Sequence, residues 1–460
     1  MPWLNAFVFY MLENCKCYIS YLLVTCYWVG ELRVGYAKVS ITPPIGTYMS
    51  GYFLREKPSQ GIHDELYARA IVLEDGGEIF AAASVDTLGV SIELFELVSK
   101  LVSEEIDLSE EKISVSATHT HSGPDLFGRY GEWDKCLFDI TARKIASAII
   151  LAYRRLSDVL VKAGVGEVRG VIVNRRDPYN GVVDPKVHVV SFEGSKRIIL
   201  SNYSCHAVVL GHNNLLLSAD YPGALNTFVE KSLGAQSIFF NGACGDINPL
   251  TPTTDLSKVY DRSCGTFNDV EWMGRILGCE VVKLAELSKP LPSVKLCVLA
   301  EKLGLKLWKS YGIDEAEKRL MTAEEKYREA LKRGVKEEIV KARYNYIAAR
   351  LALYNLRRFG EGVIPAWLKI VGLARELAIV FIPSEVLTEV GLTLKCKSPF
   401  ENTLVVTYSN GYFGYIPVKR EYKRGWYEVS FPFTLVEPGC AEYIIDRTLE
   451  MLSELKAAYD

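Results

Sequence analysis

The chain has 460 residues, of which 53 are basic and 56 acidic, for a net charge of −3; 49% are hydrophobic and 24% charged. That length suits about two to three average domains, or one large α/β domain with an ample core. The near-neutral balance excludes a strongly basic nucleic-acid binder, and the apolar content excludes an intrinsically disordered chain.

Residues Cys17 to Gly30 form an apolar run. It has the length of a signal-peptide core and is short for a bilayer span. Only Lys16 precedes it, Glu13 lies nearby, and no small-residue cleavage site follows. Three readings stand: a true start near Glu31, an N-terminal anchor or imperfect signal, and a packed N-terminal helix. The cytoplasm is the expected compartment, with anchoring or secretion as alternatives. The eleven cysteines are irregularly spaced, with Cys15 and Cys17 forming only a C-x-C. They read as reduced, mostly buried thiols rather than a disulfide framework.

From Arg33 onward strand-like and helix-like segments alternate. Arg69–Leu73 and Ile79–Val85 are β-rich and flank the turn signal Asp75-Gly76-Gly77. Ile92–Glu104 has helical periodicity. Lys112–Ala117 is a short buried strand running into Thr118-His119-Thr120-His121, and Leu137–Leu156 reads as a helix. Val187–Phe192 and Arg197–Ser204 predict a hairpin around Gly194; Tyr221–Ser232 predicts a helix and Gln236–Asn241 a buried strand. Ile313–Phe359 is rich in Ala, Glu, Lys, Arg and Leu and breaks near Gly334, which predicts two long helices with solvated charged faces. Strand-like text returns after Pro365, at Leu377–Ile382 and Thr403–Tyr408, and Glu442–Leu455 closes as a helix. The whole predicts a mixed α/β fold: one large domain over 33–460 with mixed β-sheets, flanking helices and a helical hairpin excursion at 311–360. Residues 1–32 form an apolar extension.

The six histidines are at 63, 119, 121, 188, 206 and 212. His119 and His121 follow a buried strand and precede Ser122-Gly123-Pro124; in extended backbone, i and i+2 point to one side. Two imidazoles at a strand end suit metal ligation or proton transfer, although two histidines bonded at a turn would look the same. His206 also follows a strand. The segments around Asp220 and from Asn241 to Pro249 are further strand-to-loop junctions, and together they predict one shared site at strand ends. His63 reads as a turn histidine, His188 and His212 as structural, and Asp86 as a brace behind a ligand.

The chain resembles the neutral/alkaline ceramidase family. The resemblance rests on collinear stretches: Gly35-Tyr36-Ala37 through Ile41-Thr42-Pro43-Pro44-Ile45-Gly46, Gly61-Ile62-His63-Asp64, Thr118-His119-Thr120-His121-Ser122-Gly123-Pro124, Cys205-His206, Gly245-Asp246-Ile247-Asn248-Pro249, Pro383-Ser384-Glu385 and Asn410-Gly411-Tyr412-Phe413-Gly414-Tyr415. It implies one zinc held by His119, His206, Glu385 and Tyr415. It further implies that His121 moves a proton or binds substrate and that Arg176, or else Arg175, holds a polar substrate group. Each has a plainer alternative: Glu385 as a helix cap, Tyr415 as a packed aromatic, Arg176 as a solvated loop charge. The family's Pro-Gly-Glu is Pro-Ser-Glu here, and Asn248 stands where ceramide hydrolases carry Ser. Asn248 can orient carbonyl or water but cannot serve as a nucleophile. The chain also ends too early for the further C-terminal β-sandwich of characterised ceramidases. The implied activity is zinc-dependent hydrolysis of a linear amide bond, such as that of an N-acylsphingosine, through metal-activated water. The implied partner is a small-molecule or lipid amide, with membrane contact possible and no nucleic acid. A metal-dependent esterase or amidase on small soluble substrates and a non-catalytic, metal-stabilised binding protein are the rivals.

Overall fold

The computed structural model describes residues 32–128, 133–360 and 362–459. The apolar run at 17–30 lies outside the described residues. Three sheets are built on one scheme: antiparallel neighbours, then a last strand added in parallel across a helix. In the first, β1 (Arg33–Ser40), β2 (Tyr67–Asp75) and β3 (Glu78–Val85) are antiparallel. Gly76 and Gly77, with φ of 56° and 95°, make the β2–β3 turn where the sequence places it. Helix α1 (Ile92–Ser103), capped by Ser91 on Leu94 N, returns the chain to β4 (Ile113–Ala117), which lies parallel to β3. Helix α2 (Lys135–Tyr153) covers this sheet. It lies so close that a Cβ on Gly35 would meet Ala152 O at 1.9 Å.

The second sheet holds β5 (Leu160–Glu167), β6 (Lys186–Glu193), β7 (Ile198–Tyr203) and, parallel to β7 beyond α3 (Asp220–Leu233), β8 (Gln236–Asn241). Helix α4 (Phe267–Leu287) packs on α3. The sequence reading omits α4, although Thr266 and Asp269 form a full capping box at its start. The third sheet pairs β9 (Cys297–Lys306) with a later strand, β10 (Val363–Ala374). Between them run α5 (Ile313–Arg333) and α6 (Lys336–Phe359), turning at Gly334 with φ of 73°. The excursion is therefore an insertion at the tip of a β-hairpin. Strand β11 (Leu377–Phe381), α7 (Thr388–Lys397) and a parallel β12 (Asn402–Val406) complete the sheet, backed by α8 (Cys440–Ala457).

The three sheets pack against one another through a shared apolar cluster. Phe381 sits at its centre, with ring centroids 5.4 Å from Phe80 and 6.0 Å from Phe240. Because each sheet ends in a parallel strand, the carboxyl ends of β4, β7, β8, β11 and β12 meet on one side. The segments leaving them carry His119, His206, Asn241, Glu385 and Tyr408. The described cysteines are all free. Among the described residues no helix is long and apolar enough to cross a membrane.

His188 lies inside β6, and neither ring nitrogen has a partner. Burial, then Lys395 and Lys186, holds its pKa well below the usual imidazole value. The unfolded chain therefore binds a proton near pH 6.5 that the folded chain refuses, so stability falls as pH drops below that value. Each such group contributes a slope of about 1.4 kcal/mol per pH unit. His188→Leu is expected to flatten the decline of Tm between about pH 6.5 and 4.5; an unchanged decline contradicts this.

Candidate metal centre

His119 leaves β4 in a conformation different from the sequence expectation. Its φ is +66°, left-handed rather than extended, so the simple i, i+2 argument does not apply. The imidazoles of His119 and His121 still converge, with Nε2 atoms 3.3 Å apart. Ser384, Tyr408 and Asn410 also have positive φ, at 65°, 57° and 59°. Such non-glycine residues cost about 1–3 kcal/mol each and cluster where a site over-determines the backbone. At Ser384 the hydroxyl helps hold the strained turn: it accepts from Phe413 N at 2.9 Å and donates to Gly414 O.

The strand ends are tied together from behind. Asn241 donates to Thr118 O at 3.1 Å and to Cys205 O at 2.9 Å, bridging the residues that precede the two histidines. Asp86 accepts from Thr118 Oγ1 at 3.1 Å and pairs with buried Arg69 at 3.2 Å; it braces the loop and touches no imidazole of the centre. The Tyr408 ring stacks on His119 with centroids 4.1 Å apart. Glu385 is aligned with Tyr415 by a two-residue parallel pairing.

The proton placement decides what this cluster can hold. His119 Nδ1 faces Leu88 O at 2.6 Å, and His206 Nδ1 faces Cys244 O at 2.6 Å. A carbonyl can only accept, so both Nδ1 atoms carry the hydrogen and both Nε2 atoms present lone pairs. Those lone pairs lie 3.4 Å and 3.3 Å from one carboxylate oxygen, Glu385 Oε2, which has no hydrogen-bond partner. Tyr412 donates to the other oxygen, Oε1. Two lone pairs and a carboxylate oxygen converge in a buried space with no proton of their own to share. That donor set fits a cation, of the borderline kind that takes imidazole and carboxylate together. His119, His121 and His206 also form a cluster of metal-ligand geometry.

His121 differs from its neighbours. Its Nδ1 is buried with no hydrogen-bond partner among the described residues and its Nε2 faces His119 Nε2 at 3.3 Å, so no carbonyl anchors this ring. Burial, then His119 and His206, holds its pKa well below the usual value. Burial and the Arg175 guanidinium push His206 down to about 3. Both imidazoles are therefore neutral at physiological pH. Gly51, with φ +106°, lies against His121: an added Cβ would come within 2.4 Å of its ring. Gly51→Ala is expected to displace His121 while the carbonyl-anchored histidines stay. Metal content should hold and the rate should fall by about 10²-fold or more, the scale of a misplaced acid–base group. An undiminished rate contradicts this.

Of the two arginines the sequence offered for holding a substrate group, Arg175 lines the cavity and Arg176 does not. Arg176 is held by Glu421 and Glu428, each at 3.0 Å, and by Gly425 O. Its donors are occupied away from the centre. Arg175 donates through Nη2 to Tyr415 Oη at 2.9 Å and through Nη1 to Asn248 Oδ1 at 3.3 Å, with Nη1 3.4 Å from His206 Nε2. Buried Glu428 neutralises it at 3.1 Å. Asn248 Nδ2 donates to Val259 O at 2.9 Å, so this side chain braces Arg175 rather than pointing free. Burial raises the Tyr415 phenol pKa, which keeps the hydroxyl protonated. Tyr427 and Glu428 escaped the sequence reading, and Asn241 and Tyr412 were given no role of their own, since single polar residues far apart leave no local pattern. His63 bonds Asp64 at 2.8 Å and stacks on Phe267, away from the centre.

A cavity of about 500 Å³ opens over the centre, lined by His121, Arg175, Asn248, Glu385, Tyr412 and Tyr415. Its apolar walls include Phe53, Leu54, Val208 and Phe433, and one side is α6 through Val340, Tyr344 and Leu351. The sequence reading took the excursion's charges as solvated faces. That describes α5, where only Ala316 and Ala330 are buried, but α6 also walls the cavity.

The fold and centre define a mixed α/β protein with a buried His/Glu metal-type site at the ends of parallel strands. The family model for the neutral/alkaline non-lysosomal ceramidase N-terminal region matches residues 32–264, and the chain belongs to this family. A neutral ceramidase of Pseudomonas aeruginosa is 28% identical over 259 residues, covering 50% of this chain and 39% of that protein. Neutral ceramidase A of Dictyostelium discoideum is 25% identical over 279 residues, covering 52% and 39%. The chain thus spans well under half the length of these curated relatives. The crystal structure of the Pseudomonas aeruginosa neutral ceramidase superposes with a TM-score of 0.72 at 18% identity, over 93% of this chain and 75% of that one. A ceramidase complexed with C2 gives 0.73 at 18% identity, over 93% and 76%. These likenesses bear on the fold.

Proposed function

We propose that the chain is a zinc-dependent hydrolase of a linear amide bond, acting on an N-acyl amide with an apolar body, as the names of its relatives suggest. The observation that carries this reading is the pair of Nε2 lone pairs and the partnerless Glu385 Oε2 beneath an apolar cavity. His119, His206 and Glu385 would hold the ion, with Tyr415 at its side. When bound, the ion supplies Lewis acidity to a water and to the amide carbonyl. The chain's own residues do the rest. His121, neutral and anchored by no carbonyl, accepts the proton of the attacking water and delivers it to the leaving amine. Arg175 and the protonated Tyr415 hydroxyl stand together as donors for the developing oxyanion. Asn248 keeps Arg175 in line, and Glu428 holds the charge of that arginine in place. Tyr412 keeps Glu385 turned with Oε2 toward the imidazoles. Water and amide give acid and amine, with no covalent intermediate.

A second reading, a metal-stabilised binding protein, draws on Asn248 in the place of the family's Ser. An esterase or amidase on small soluble substrates is the nearer rival. The test is a panel of N-acyl amides and matched esters with protein purified without chelator. Amine release in step with about one zinc per chain, with no acyl group trapped on the protein by mass spectrometry, supports the proposal. Inactivity on every amide and ester sinks it in favour of the binding reading, and a trapped acyl-enzyme sinks the mechanism.

A further inference from the structure

Among the described residues Glu385 is the sole carboxylate lining the cavity, and it faces the imidazoles. The cationic lining residues are Arg175, Arg262 and Lys341. Arg175 is neutralised by Glu428. Arg262 comes from the loop after the Asn248 segment and is 2% exposed. Its Nε donates to Val208 O at 3.0 Å and Nη1 to Thr254 Oγ1 at 3.2 Å, which fixes the guanidinium plane. Its Nη2 is buried with no hydrogen-bond partner among the described residues. Asp220 feels this charge, but its oxygens accept from the backbone N–H groups of Val209, Leu210 and Tyr221. No carboxylate among the described residues pairs with Arg262. Lys341, on α6, adds a second cation to the lining.

A buried guanidinium with a partnerless N–H end is costly unless something answers it, and an arginine fork answers best to a carboxylate or phosphate. Apolar walls and a surplus positive charge together describe an amphiphile with one anionic end. We propose that Arg262, assisted by Lys341, is a specificity residue that binds an anionic group on the amide substrate. The substrate is then an N-acyl amide bearing a carboxylate or phosphate near the scissile bond, rather than an uncharged one. This rests on the amide-hydrolase reading above, and the test separates the two.

Two matched pairs serve as probes: N-dodecanoylglycine against its neutral glycinamide, and N-dodecanoylethanolamine phosphate against N-dodecanoylethanolamine. Turnover is measured with the zinc-loaded protein, and binding by calorimetry with the zinc-loaded His121→Ala variant. We expect the anionic member of at least one pair to be preferred tenfold or more in KM and in Kd; the pair that shows it distinguishes carboxylate from phosphate. In Arg262→Gln the preference should fall to within about twofold, and Arg262→Lys should restore part of it. A purely structural arginine would weaken both members alike and leave the ratio intact. Turnover without charge preference, or a preference untouched by Arg262→Gln, overturns the proposal while amide hydrolysis stands. Charge-selective binding lost in Arg262→Gln, without turnover of any probe, supports the anion site and removes the hydrolase reading.

Discussion

Replacing His119 or His206 by alanine should abolish metal retention and hydrolysis together, while His121→Ala keeps the metal and loses the rate. The argument rests on where the protons are. His119 and His206 each give Nδ1–H to a backbone carbonyl, at 2.6 Å in both cases, so each is locked with Nε2 as a lone pair. Removing either leaves only one imidazole lone pair beside Glu385 Oε2 to hold an ion in a buried site. His121 has no such lock, and its backbone is held separately, by Ala207 O at 3.3 Å and by Arg55 Nη1 on its own carbonyl at 2.6 Å. Its loss should cost about 10²–10⁴ in rate, as for general acid–base groups. Metal content by elemental analysis, read beside kcat for the three variants, checks the division. A metal-free His121→Ala protein would make all three imidazoles ligands.

The second large effect separates two adjacent arginines. Arg175→Met should lower kcat by about 10²–10³, the scale for removing a donor to a developing oxyanion. Arg176→Met should lower Tm with kcat close to wild type, because its guanidinium serves Glu421, Glu428 and Gly425 O rather than the cavity. Both substitutions strip a partner from Glu428, which is fully buried, so each carries a stability cost of a few kcal/mol. Each variant leaves Glu428 the other arginine, with Tyr260 Oη also donating to its Oε1 at 3.1 Å, so neither orphans the charge and the kinetic comparison stays clean. Equal loss of kcat in both arginine variants would contradict the assignment.

The sequence disclosed the parts of this site that follow local rules. Strands ending at Ala117, Tyr203 and Asn241 could be read because each is a short apolar run closed by polar and glycine residues. The order of elements, and hence the mixed α/β class, followed from the same pattern, as did the break of the excursion at Gly334. What stayed hidden depends on three-dimensional convergence. Arg175 and Arg176 are equivalent in sequence; alternate side-chain directions at the end of a short β pairing decide which faces the cavity. The left-handed turn at His119 is invisible because histidine gives no signal for positive φ. Tyr412 and Tyr415 lie in one aromatic-rich segment, and only the register of Glu385 with Tyr415 sorts them: one phenol goes to the glutamate, the other to Arg175. The charged excursion looked like solvated helix because half of it is; that α6 reaches back over the cavity is a property of the β9–β10 hairpin carrying it.

Anomalous scattering at the zinc edge from crystals of chelator-free protein tests the central claim most directly. One strong peak bounded by His119 Nε2, His206 Nε2 and Glu385 Oε2, next to the Tyr415 side chain, is the predicted result. No peak there, or a peak elsewhere in the chain, would contradict it.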